Sequence, residues 1–99
     1  MWYAVISEDN PNSTPLRAAT RPAHLERLHA LAAEGRLLLA GPHPAIDAED
    51  AGDAGFTGSL VVAEFPSLED ARLWADNDPY VEAGVYQEVK VKPFKLVLP

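Results

Sequence analysis

The sequence predicts an α+β fold of the ferredoxin-like type, βαββαβ, with both helices on one face of an antiparallel sheet. Apolar runs of strand length and two helix-length segments follow one another in that order. The last strand alternates cleanly, with Val89 and Val91 on one face and Glu88, Lys90 and Lys92 on the other. The second helix carries its own start and stop signals within Ser67 to Gly84.

Taken in order, Trp2 to Ser7 is rich in β-branched and aromatic residues and reads as strand one, followed by a loop over Glu8 to Thr20. Helix one opens at Thr20-Arg21-Pro22, where proline is tolerated in a first turn, and runs to Gly35. This start puts His24 near the helix N-terminus and, with Leu28 and Leu31 at i+4 and i+7, on the inward face. Arg36 to Gly41 is short and continuously apolar, as a buried strand two would be. Pro42 to Gly58 shows no periodicity and is rich in Pro, Gly and Asp, which marks it as a loop and a candidate lid. Gly58 to Phe65 is strand three, closed by Pro66.

Ser67, with Asp70 three residues on, reads as the N-cap of helix two, whose Leu68, Ala71 and Ala75, with Trp74 beside them, form the apolar stripe. That helix cannot continue through Asp78, because Pro79 forces the preceding residue out of the α region. Asp78 then caps a short turn from Pro79 to Ala83 that ends at Gly84. Val85 to Val91 is strand four, and the apolar positions change phase at Pro93, which predicts a bulge or a change of pairing partner there. Strands one to three are apolar on both sides while two helices cover one face, so the second face calls for an isologous dimer, with Phe94 to Leu98 in the contact.

The 99 residues make one domain, 1–99, long enough for a core without disulfides, and there is no cysteine. No apolar run is of membrane-spanning length and the start has no basic n-region, so the reading is a cytoplasmic protein without a membrane partner. A net charge of −7 argues against nucleic acid and anionic membranes, both of which reward clustered Lys and Arg. Small molecules and protein partners remain.

The phosphate-loop, nucleophile-elbow and zinc-protease signatures are all absent. His24 and Asp78 are the pair with a plain mechanistic use: a carboxylate on one imidazole nitrogen fixes the tautomer and leaves the other nitrogen to take a proton. The bland alternatives stand beside it, a satisfied half-buried histidine and a helix-capping aspartate. Arg21, Ser59, Tyr80 and Tyr86 are candidate polar contacts for a ligand, and Gly41-Pro42 a place where one approaches backbone closely. His43 is a weaker metal candidate than a solvated loop histidine, and nothing in the chain requires a cofactor or a metal.

Several segments together resemble the YciI-like (YCII-related) family: Arg21-Pro-Ala-His24-Leu, Glu34-Gly-Arg-Leu-Leu, Ala40-Gly-Pro-His-Pro44, Gly55-Phe-Thr-Gly-Ser59, Asp78-Pro-Tyr-Val-Glu-Ala-Gly84-Val-Tyr86 and Val91-Lys-Pro-Phe-Lys95. The likeness covers almost the whole chain. It implies a dimeric α+β barrel built on the ferredoxin-like unit, with a histidine and an aspartate as a proposed active-site pair that match His24 and Asp78. The family is similar to small lyases and isomerases of aromatic degradation, one branch to a dehydrochlorinase acting on a chlorinated hydroxyhydroquinone. Two functions are therefore expected: a cofactor-independent lyase or isomerase moving a proton with His24 and Asp78, or a binding module that keeps the pocket without turnover.

Overall fold

The computed structural model describes all 99 residues. Strands β1 (Trp2–Asp9), β2 (Leu37–Pro44), β3 (Phe56–Glu64) and β4 (Tyr86–Phe94) form one antiparallel sheet in the order β2-β3-β1-β4. Helix α1 (Thr14–Ala33) links β1 to β2, and α2 (Leu68–Asp76) with the one-turn α3 (Pro79–Glu82) links β3 to β4. Each helical connection thus skips one strand, which is the split βαβ arrangement of the ferredoxin-like fold.

The register places Tyr3 opposite Ala63 and Val5 opposite Val61. These side chains, with Phe65, meet Leu28 and Leu31 of α1 and Ala71 and Ala75 of α2 in the buried core. Leu68 and Trp74 complete the α2 stripe at the edge of that core. Because side chains alternate across a strand, Trp2, Ala4, Ile6, Leu60 and Val62 belong to the face without helices. Trp2, Ile6 and Leu60 are only half-buried there.

Helix α2 begins as its sequence predicts, with Ser67 Oγ accepting from the Asp70 N–H at 3.1 Å. Both α1 and α3 end in a Schellman motif. In α1 the Gly35 N–H donates to Ala32 O at 3.0 Å and Arg36 N–H to Leu31 O at 2.9 Å; in α3 Gly84 reaches Val81 O at 3.2 Å and Val85 reaches Tyr80 O at 2.9 Å. The left-handed φ of +71° at Gly35 and +81° at Gly84 suits a residue without a Cβ.

Four expectations need correcting. Helix α1 starts at Thr14, not Thr20, so the Glu8 to Thr20 loop shrinks to a short turn and His24 lies mid-helix, away from the N-terminal dipole. Pro15 occupies the first turn, and Pro22 sits inside the helix, where the sequence reading took it for the start. A proline in the interior removes one backbone bond, which packing of a 20-residue helix against a sheet outweighs. Strand β2 is an exposed edge rather than a buried strand; Leu37 reaches the core but Leu39 is 45% exposed. The Pro42 to Gly58 loop is shorter than expected: Pro42 to Pro44 extends β2, Phe56 opens β3, and residues 45–55 remain as the connection, with a 3-10 turn at Gly52–Ala54. At Pro93 the ladder runs on unbroken, Tyr3 pairing with Pro93 and Trp2 with Phe94; the irregularity lies at Glu8/Asp9. β4 is an edge strand, where a missing proline N–H costs no ladder bond.

Candidate active site

The inward face of α1 carries Arg17, Arg21, His24, Leu28 and Leu31 at intervals of three and four residues. Opposite it, the α2–α3 junction delivers Asp78. Its backbone, at φ −64° and ψ 133°, is held out of the helix by Pro79, and its Oδ1 accepts from the Tyr80 N–H at 2.9 Å. The cap aims the carboxylate at α1. Both oxygens lie 2.9 Å from His24 Nδ1. Asp78 is 4% exposed and His24 7%.

Since a carboxylate accepts, Nδ1 carries a hydrogen, and in the neutral imidazole Nε2 is then the nitrogen with the lone pair. Nε2 has no protein partner and is not sealed from solvent, and His24 lines a cavity of about 360 Å³. Tyr80 lies flat against the imidazole, ring centroids 4.0 Å apart at 11°, and Tyr86 meets Tyr80 edge-on at 5.4 Å. Burial raises the pKa of both tyrosines.

Two arginines flank the pair. Arg27 sends Nη1 to within 3.3 Å of Asp78 Oδ2, an ion-pair distance without the angles of a hydrogen bond, and that nitrogen is fully buried. Its Nη2 donates to Trp74 O at 2.6 Å, and the guanidinium lies 4.4 Å from the Trp74 ring centroid. Burial lowers the Arg27 pKa against the pull of Asp78. Arg17 is tied to Asp9 through Nε and through Nη2, the latter at 2.9 Å from Oδ1. Nη2 also donates to Gly58 O at 3.0 Å and Ser59 Oγ at 2.9 Å, and Ser13 Oγ donates to Asp9 at 2.6 Å. Burial opposes the charge on Arg17, but the hydrogen bonds and charge of Asp9 outweigh it and the pKa rises.

Of the residues named from sequence, Arg21, Gly41, Pro42, Ser59 and Tyr80 border the same cavity as His24. Tyr86 stands behind Tyr80 and borders a second void, near 10 Å³, together with Asp78 and Ser7. Of the candidate lid Pro42 to Gly58, Pro42 and Phe56 border the His24 cavity while residues 45–55 do not. His43 opens on a different hollow beside Glu8 and Thr57. No three His, Asp or Glu side chains converge to hold a metal ion. Sequence reasoning missed Arg17, Arg27 and Phe56. Arg17 precedes His24 by seven residues, two helical turns, and starting the helix at Thr14 would have exposed that signal.

The profile of the YCII-related domain family matches residues 1–95. Protein YciI of Escherichia coli is 60% identical over 97 residues, covering 98% of this chain and 99% of that protein. A Haemophilus influenzae protein is 57% identical over 97 residues, again 98% of this chain and 99% of the other. Among solved structures, 5-chloro-2-hydroxyhydroquinone dehydrochlorinase (TftG) of Burkholderia phenoliruptrix AC1100, in complex with 2,5-dihydroxybenzoquinone, superposes with a TM-score of 0.84 at 26% identity, covering 97% of this chain and 95% of that one.

Proposed function

Because this chain belongs to the YCII-related family, we propose that it is a cofactor-independent proton-transfer enzyme, a lyase or isomerase in which His24 is the base and Asp78 its orienting partner. The carrying observation is the pair itself: an imidazole whose Nδ1 donates to a buried, helix-capping carboxylate, on a histidine that lines a cavity of about 360 Å³. That volume suits a single-ring molecule.

Nε2 takes a proton from a carbon next to a carbonyl, or from a ring hydroxyl, and the bonding pair moves onto oxygen as an enolate or phenolate. Return of that pair reforms the carbonyl. In an elimination the oxygen pair reforms the carbonyl while the enolate's carbon–carbon pair makes the new double bond and expels a leaving group such as chloride from a saturated neighbouring carbon, and the imidazolium passes its proton to water; in an isomerisation the imidazolium gives the proton back at another carbon. Asp78 remains a carboxylate and stabilises the imidazolium throughout. The likeness to the dehydrochlorinase supports the elimination branch.

Incubation of the purified protein with 5-chloro-2-hydroxyhydroquinone, read as chloride release, is the direct test. Turnover lost in His24→Gln and reduced in a folded Asp78→Asn supports the reading. Undiminished turnover in His24→Gln ends it. A second reading, a binding module without turnover, draws on the cap: the Tyr80 N–H bond gives Asp78 a structural use of its own. It predicts thermal protection by small aromatics that are recovered unchanged.

The protein acts as a homodimer in this proposal, with the helix-free sheet faces packed together. Leu39, Phe94, Val97 and Leu98 are exposed by 45%, 37%, 74% and 79%, beside the half-buried Trp2, Ile6 and Leu60. Sedimentation showing only monomer at micromolar concentration rules the dimer out.

A further inference from the structure

The cavity that His24 lines changes character along its length. Arg17, Arg21 and Ser59 stand at one end, and Leu25, Leu28, Ala40 and Val61 at the other. Both walls carry the gradient. Arg21 and Leu28 are seven residues apart on α1, about 10 Å along its axis, with His24 between them. Facing them, β2 and β3 pair Pro42 with Ser59 and Ala40 with Val61, two rows about 7 Å apart.

The second end is apolar on every side named. Leu28 and Val61 belong to the buried core and Leu25 packs against it half-buried. Ala40 differs in being exposed, on the edge strand of the sheet. Because it pairs directly with Val61, its methyl group lies on the α1 side, so a longer side chain at that position would enter the cavity. Alanine leaves the apolar end open.

Volume decides what this end is for. An apolar cavity of about 150 Å³ already holds benzene. A bare ring beside His24 would therefore fill less than half of the cavity of about 360 Å³. A polar substituent in the remainder finds no hydrogen-bonding side chain on Leu25, Leu28, Ala40 or Val61, whereas a hydrocarbon one is driven in by its own burial.

We infer that Ala40, Leu25 and Leu28 form a specificity pocket, and that the ligand is a phenolic or enolic ring carrying a short alkyl chain on the side away from its reacting oxygen. The inference rests on the proton-transfer reading for the placement of the ring oxygen beside His24. The pocket itself uses no chemistry of His24, and the size of residue 40 sets which chains are admitted.

The test compares 4-methylphenol, 4-butylphenol and 4-(3-hydroxypropyl)phenol by calorimetry at about pH 7, where all three are uncharged. The wild type should bind 4-butylphenol at least about tenfold tighter than 4-methylphenol, since each fully buried CH₂ contributes about fourfold. The hydroxypropyl compound, of the same length with a polar end, should lose most of that gain. Ala40→Leu fills the pocket from an exposed position that the core does not need, and should bring the butyl-to-methyl ratio to about threefold or less. Leu25→Gln should lower the ratio as well. Equal affinity for the methyl and butyl compounds overturns the assignment, as does 4-butylphenol that fails to bind at millimolar concentration, or a ratio left intact by both variants. His24→Gln separates the two readings. A butyl preference retained in His24→Gln, together with undiminished chloride release from 5-chloro-2-hydroxyhydroquinone, removes the proton-transfer mechanism and keeps the pocket; His24-dependent chloride release without a butyl preference does the reverse.

Discussion

Replacing Asp78 tests how far one side chain joins the α3 turn to the site. Asp78→Ala deletes the cap to the Tyr80 N–H, a loss of about 1 kcal/mol. It also strands His24 Nδ1–H in a buried position, which costs about 1–3 kcal/mol for an unsatisfied donor. Arg27 loses its counter-charge as well, and because its Nη1 is fully buried beside Asp78 this adds to the loss. The expected total is at least about 3 kcal/mol. Asp78→Asn keeps an oxygen for the cap but turns an amide N–H₂ toward one of the two remaining donors, a penalty of about 1 kcal/mol. The difference of about 2 kcal/mol corresponds to roughly 8–16 °C in Tm for a domain of this length. Urea and thermal unfolding at one fixed protein concentration measure it, because association shifts apparent stability. A double-mutant cycle with His24→Ala isolates the pair. If Asp78→Ala and Asp78→Asn unfold together, or alanine costs no more than a lone cap, Asp78 does not hold His24 in solution and the orienting role collapses with it.

Tyr80 and Tyr86 have pKa values raised by burial from 10.0, so two of the three tyrosines should ionise late in an ultraviolet alkaline titration. Their folded-state pKa exceeds the unfolded one, so the stability they contribute is fully present below about pH 10 and is lost as pH rises through the folded values; a titration with all three at the ordinary value would contradict the packing described. Arg27→Ala removes both the donor to Trp74 O, a carbonyl in the last turn of α2, and the cation over the indole. The expected loss is about 1–2 kcal/mol with a red-shifted Trp74 emission, and Arg27→Lys should restore only part of it; unchanged fluorescence and stability would contradict that contact. Residues 45–55 should be the first site of limited proteolysis, yet a ligand in the His24 cavity should leave the cutting rate there unchanged, because none of them borders it; protection of that loop by ligand would identify it as a lid.

What the sequence determined by itself is whatever depends on neighbours along the chain. The order of elements, the Ser67 cap, the glycine stops at Gly35 and Gly84 and the Pro79-fixed Asp78 are local steric and hydrogen-bonding outcomes, and each is legible in a few adjacent residues. Helix α1 shows where local reasoning stops: Pro22 is a poor interior residue, and only packing of the Arg17-to-Leu31 face against the sheet carries the helix through it. With the helix start misplaced, Arg17 fell into a loop and its place two turns before His24 was invisible. Tertiary structure alone decided the rest. His24 and Asp78 are 54 residues apart, and their distance of 2.9 Å follows from α1 and the α2–α3 junction crossing the same sheet face. Asp9, eight residues before Arg17, pairs with it because β1 ends beside the first turn of α1, and Ser59 joins them across 42 residues through the β1–β3 register. Charge shows the same division: composition makes the chain acidic, but a sum over residues has no geometry, and folding gathers arginines and excludes carboxylates at the cavity that His24 lines.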